Sequence, residues 1–129
     1  MKRKIKIQMQ SRSGGVYTVA VTADYMYRWR GIVFAFHKNE YDQWVCTEYR
    51  TGWQVKKVSG RNKPDIDLLV SMFRPNAHEQ INSEAAAAIA ATGEVNTIDF
   101  AVSSLPLLDP NEKEPAPEQT FFDFAPTVA

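Results

Sequence analysis

Tyr25-Met26-Tyr27-Arg28-Trp29-Arg30-Gly31-Ile32-Val33-Phe34-Ala35-Phe36 sets the architecture. Tyr25, Tyr27 and Trp29 alternate with Met26, Arg28 and Arg30. Beyond Gly31, Ile32, Phe34 and Phe36 alternate with Val33 and Ala35. A period of two is that of an extended strand with its side chains on opposite faces. Glycine inside such a pattern predicts a bulge or bend at Gly31.

The same period appears on both sides. Residues 4–10 place Ile5, Ile7 and Met9 on one side and Lys4, Lys6, Gln8 and Gln10 on the other. Ser11-Arg12-Ser13-Gly14-Gly15 reads as a turn, and residues 16–22 as a β-branched second strand, so the two form a hairpin. Residues 37–43 are polar and turn the chain. Residues 44–49 and 53–58 are two more strands, joined by Arg50-Thr51-Gly52 with glycine at the left-handed position. The first 58 residues are therefore expected to be a five-stranded antiparallel meander.

After residues 59–63 the period changes. Pro64 suits a first helical position, with Asp65 and Asp67 at the positive end of the helix. Ile66, Leu69, Val70 and Phe73 form one apolar stripe, Arg74 suits the negative end, and Pro75 stops the helix. A second helix is expected from Ser83 through the alanine-rich stretch to Gly93. Ile98, Phe100 and Val102 alternate as a short sixth strand. The expected fold class is α+β: an antiparallel five- to six-stranded sheet, two helices packed on one face, and an extended acidic C-terminal tail. The domain is expected over residues 1–103. Residues 104–129 are rich in proline and acidic residues and read as the tail, with Phe121, Phe122 and Phe124 at its tip.

Charge is strongly partitioned. Residues 1–63 hold thirteen Lys/Arg and four Asp/Glu, a net of +9, and residues 64–129 hold two and eleven, a net of −9. A basic half interleaved with aromatic residues suits nucleic acid, because cations neutralise phosphates and flat side chains stack on bases. The candidate nucleic-acid contacts are Lys4, Lys6, Arg28, Arg30, Lys56 and Lys57, with Tyr49 or Trp53 stacking. The acidic tail would modulate occupancy. Phe121, Phe122 and Phe124 are candidate contacts for a protein partner or a second subunit.

Other classes are disfavoured. There is no apolar run of 18 residues, so no membrane span is expected, and the basic start lacks the apolar core of a signal peptide. Cys46 is the only cysteine, which fits a reducing cytoplasm, the expected location. His37, His78 and Cys46 have no metal-ligand spacing, and for Asp65-x-Asp67 the downstream acids Glu94 and Asp99 have no lysine near them, as a metal-dependent nuclease would need. There is no phosphate-binding loop, dinucleotide fingerprint or nucleophile elbow. No cofactor, metal or catalytic activity is expected.

A basic, aromatic β-domain followed by an acidic tail with an aromatic tip is similar in layout to bacterial and phage single-stranded DNA-binding proteins. That layout implies polyanion binding regulated by the tail. The small size also suits a phage or plasmid accessory protein that inhibits a host complex, of the anti-CRISPR or anti-restriction class.

Overall fold

The computed structural model describes residues 2–58, 60, 62–73, 76–110 and 125–128. Six strands come first: β1 (Arg3–Gln10), β2 (Val16–Ala23), β3 (Tyr25–Trp29), β4 (Ile32–Lys38), β5 (Trp44–Glu48) and β6 (Trp53–Val58). Two helices follow, α1 (Ile66–Met72) and α2 (Ala77–Thr92), then a 3-10 turn at Val102–Ser104 and a short β7 (Thr127–Val128). The class is α+β, as expected. The single meander is not: the strands divide into two sheets, ordered β2-β1-β7 and β3-β4-β5-β6.

The division follows from β4. Its residues Ile32 to His37 are all buried, so both faces of the four-stranded sheet need cover. One face presents Trp29, Ile32, Phe34, Phe36, Trp44 and Cys46 to Leu69, Val70, Phe73, Ile81 and Ala85 of the helical layer. The opposite face presents Met26, Val33 and Ala35 to Ile5 and Ile7 of the β1–β2 hairpin. A continuous meander would leave Val33 and Ala35 wet. Folding the hairpin over them removes that apolar area from water, at roughly 25 cal/mol per Å². The result is three layers, hairpin on sheet on helices.

Gly31 does not make a bulge. Arg30 and Gly31 both have positive φ (48° and 83°) and form a two-residue turn between β3 and β4. Positive φ at both central residues gives the turn the twist of its flanking strands. The bulge lies instead in β6, where Cys46 pairs with Lys56 and Thr47 with Gln54, leaving Val55 as the extra residue. Val55 and Val58, three apart, therefore both enter the helix-side core, which strict alternation forbids.

Asp65, not Pro64, begins α1: it is the N-cap, its carboxylate accepting the Leu68 N–H at 3.0 Å. Phe73 ends the helix and stacks on Trp29 with ring centroids 4.8 Å apart. Helix α2 starts six residues before the expected Ser83, and its buried stripe is Ala77, Ile81, Ala85 and Ala88. Of that stripe, Ala77, Ile81 and Ala85 join the helix-side core.

The expected sixth strand at Ile98–Phe100–Val102 is absent. These side chains instead pack, half-buried, on the hairpin-side core from an irregular segment. The region from 104 onward is not an extended tail where it is described. Leu105, Leu108 and Asp109 are buried, and the Arg28 N–H donates to Pro106 O (2.9 Å) while Leu108 N–H donates to Arg28 O (2.8 Å). Residues 105–108 thus lie along the outer edge of β3. At the other end, Ala125 exchanges two backbone hydrogen bonds with Gln54 on the edge of β6, and β7 pairs in parallel with Met9 and Gln10 of β1.

Candidate nucleic-acid interface

Lys4 and Lys6 stand on the solvent face of the hairpin because β1 buries its odd-numbered side chains, Ile5 and Ile7. Their cross-strand partners are Thr22 and Ala20, and Gln8 stands opposite Thr18. The face therefore carries cations, amides, hydroxyls and small side chains. No carboxylate lies on β1 or β2.

The far edge of β1 is held by side chains and turns from elsewhere. Lys6 N–H donates to Asn96 Oδ1 (2.9 Å), and Asn96 Nδ2 donates to Lys6 O (2.7 Å) and Tyr49 O (2.7 Å). One buried amide thus completes the β1 ladder as a neighbouring strand would. Gln8 N–H donates to Gly52 O (2.9 Å). Glu48, buried, shapes that turn: its carboxylate accepts the N–H groups of Arg50 (3.0 Å) and Thr51 (2.8 Å). No sequence pattern singled out Asn96, because it acts on backbone groups brought near only by folding. Glu48 caps a turn two and three residues on and was passed over because it sits inside a strand pattern.

The remaining candidate residues are dispersed. Arg28 lies on the edge of the four-stranded sheet, half-buried, and its Nε donates to Leu105 O (2.9 Å). Arg30, exposed in the β3–β4 turn, lies over the Trp29 ring and donates to His78 Nδ1 (3.3 Å). Lys56 and Lys57 are on β6, at the opposite edge of the sheet from β3. Lys4 and Lys6 are on the other sheet altogether. The six cations do not make one plate.

The stacking candidates are also inside or part-covered. Tyr49 is 3% exposed, its hydroxyl donating to Thr97 O (3.2 Å) and its ring edge-on to Phe100. Trp53 is half-buried and lines a groove with Ala87, Ala88 and Ala91 of α2, about 340 Å³ in volume. Phe121, Phe122 and Phe124 lie outside the described residues.

The two charged halves meet within the protomer. Asp99 pairs with Arg3, which also lies over the Phe100 ring, and Glu94 pairs with Arg50 (2.8 Å). Lys38 pairs with Asp42 (3.0 Å) and Lys2 with Asp24 (3.8 Å). Lys4 and Lys6 meet no carboxylate among the described residues.

Titratable groups in the interior are structural. His37, 1% exposed, bonds Thr47 Oγ1 through Nε2 (2.8 Å) and faces Lys38 O through Nδ1 (3.4 Å). A carbonyl only accepts, so Nδ1 carries the proton and Nε2 accepts from the Thr47 hydroxyl. Burial is the main influence and lowers the His37 pKa, partly opposed by the Lys38 carbonyl and by Asp24. Burial, reinforced by Glu48, pushes the Cys46 thiol well up, so it stays protonated and is a poor nucleophile. Among the described residues no three His, Cys, Asp or Glu side chains are grouped to hold a metal ion. No helix among them is long and apolar enough to cross a membrane. No family model, curated protein or solved structure matches this chain.

Proposed function

We propose that this chain is a non-enzymatic binding module that contacts the phosphate backbone of a nucleic acid through the outer face of the β1–β2 hairpin. The observation that carries the reading is the pair Lys4 and Lys6. They stand two residues apart on one face, about 7 Å along the strand, with no carboxylate beside them on either strand. Thr18 and Thr22, both exposed, add neutral donors to the same face. Because Tyr49 and the core tryptophans face inward, contact is with phosphate and not with bases. Glu112, Glu114, Glu118 and Asp123 compete for the same lysines and modulate occupancy.

The test is fluorescence anisotropy with labelled single- and double-stranded DNA and RNA at low salt. Two phosphate contacts give a slope of about −2 in log K against log salt on duplex. Lys4→Glu with Lys6→Glu is expected to abolish binding while leaving the melting temperature unchanged, since both side chains are exposed. No binding to any of the four at low salt removes the proposal.

A second reading is an inhibitor or adaptor of the mobile-element type that binds a host protein. The apolar groove between Trp53 and the α2 alanines favours it. A partner retained after nuclease treatment and lost in Ala87→Glu supports this reading over the first.

A further inference from the structure

We infer that the chain forms a two-fold dimer in which β2 pairs antiparallel with β2 of a second copy. Strand β2 is the edge of its sheet, and among the described residues only β1 pairs with it. Its sequence, Val16-Tyr17-Thr18-Val19-Ala20-Val21-Thr22-Ala23, contains no charge, no proline and no glycine. It runs eight residues in unbroken register with β1. Solitary proteins blunt such edges with lysine, proline, bulges or short strands, and β2 has none of these. Val16 and Tyr17, at 52% and 46% exposure, are two neighbouring large apolar side chains left in water on this strand.

The ladder parity identifies the open backbone groups. Lys6 N–H and C=O turn to Asn96, and Gln8 N–H turns to Gly52, away from β2. Hence the odd-numbered residues of β1 bond to β2, and their partners Tyr17, Val19, Val21 and Ala23 spend their backbone groups on β1. The N–H and C=O groups of Thr18, Ala20 and Thr22 point outward. An antiparallel partner must present the same parity, which restricts the symmetry axis to whole residues. Of the two longest registers this parity allows, the one that covers both Val16 and Tyr17 with the strand of the other copy pairs Val19 with itself, Thr18 with Ala20, Tyr17 with Val21 and Val16 with Thr22.

A second copy is the occupant that the charges permit. No like charges come opposite across the junction, because β2 is neutral. The nearest lysine face, on β1, lies three strand spacings from its symmetry mate, about 14 Å. That exceeds the screening length of about 8 Å at physiological salt. Closing about a two-fold axis consumes both edges, so the assembly stops at two.

Sedimentation equilibrium or light scattering from about 1 μM to about 500 μM should show mass rising from 14.6 kDa to twice that value and no further. Ala20→Pro removes an outward N–H that the monomer does not use, so it should stay monomeric with its urea midpoint retained. Should proline disturb the strand, Thr18→Lys with Ala20→Lys sets like charges opposite one another at two exposed positions and should give the same monomer. Val19→Cys should form an intermolecular disulfide on oxidation. Ala20→Cys should not, because its symmetry mate lies beyond disulfide reach. A constant monomer mass, open-ended growth, or crosslinking of Ala20→Cys in preference to Val19→Cys each overturns the inference. None of these measurements involves nucleic acid, so they stand apart from the fate of the binding proposal.

Discussion

Replacing Asn96 with alanine should destabilise the protein far more than its short side chain suggests. The side chain makes three hydrogen bonds of 2.7 to 2.9 Å, to both backbone groups of Lys6 and to Tyr49 O. Alanine leaves one N–H and two C=O groups without these partners at a junction that excludes most water. At about 1 kcal/mol each, toward the lower end for unsatisfied buried groups, the loss is about 3 kcal/mol. Against a total stability of about 5–15 kcal/mol that is a large share. It corresponds to a fall in melting temperature of about 10 °C for a domain of this size. Urea denaturation followed by tryptophan fluorescence reads it as a lower midpoint at unchanged slope. Asn96→Asp sharpens the argument, because it keeps the shape but aims a carboxylate at two carbonyls. Its folded-state pKa is then raised above the unfolded value of about 3.9, so the damage is full at neutral pH and eases as pH falls through that raised value. An alanine variant within about 0.5 kcal/mol of the parent, the range of ordinary surface changes, would refute the assignment of Asn96 as the clamp on β1.

Gly52→Ala should cost about 2 kcal/mol or more in the same denaturation assay, since Gly52 has φ 67° and an added Cβ would sit 2.9 Å from Lys6 O on the β1 backbone. His37 makes stability pH-dependent. The unfolded chain takes up its proton near pH 6.5, while burial lowers the pKa in the folded state, so stability is full above that pH and falls as pH drops below it. His37→Gln should flatten this dependence between about pH 7 and pH 5 in melting curves, and an unchanged slope would show that His37 is not its source.

Which elements were legible depended on whether their determinants were local. The alternation of residues 4–10 and the β-branched run after them gave β1 and β2 because each strand reports its own two faces. The stripe Ile66, Leu69, Val70, Phe73 gave α1 for the same reason at the helical period. Helix α2 was cut short because His78-Glu79-Gln80 hides a buried Ala77 and Ile81 in a polar stretch. Ile98, Phe100 and Val102 alternate, yet they form no ladder; their side chains fill gaps over the hairpin-side core.

The candidate site was read less well than the fold. Lys4 and Lys6 could be assigned to one wet face from period two alone. Arg28, Arg30 and Tyr49 could not be assigned, because their partners Leu105, His78 and Thr97 lie about fifty or more residues away along the chain. The imbalance of +9 and −9 was visible by counting. Its meaning depended on Asp99 and Glu94 reaching Arg3 and Arg50 across the fold.

Strands, helix periods, turn glycines and the neutral character of β2 were written in the order of the residues, since each depends on neighbours a few positions apart. Only the tertiary structure decided that the hairpin leaves the meander to cover Val33 and Ala35, that Asn96 completes the β1 edge, and that Arg3 and Arg50 pair with carboxylates of the acidic half. Those outcomes depend on which apolar face lacks a cover and which backbone group lacks a partner, and both are properties of the assembled chain.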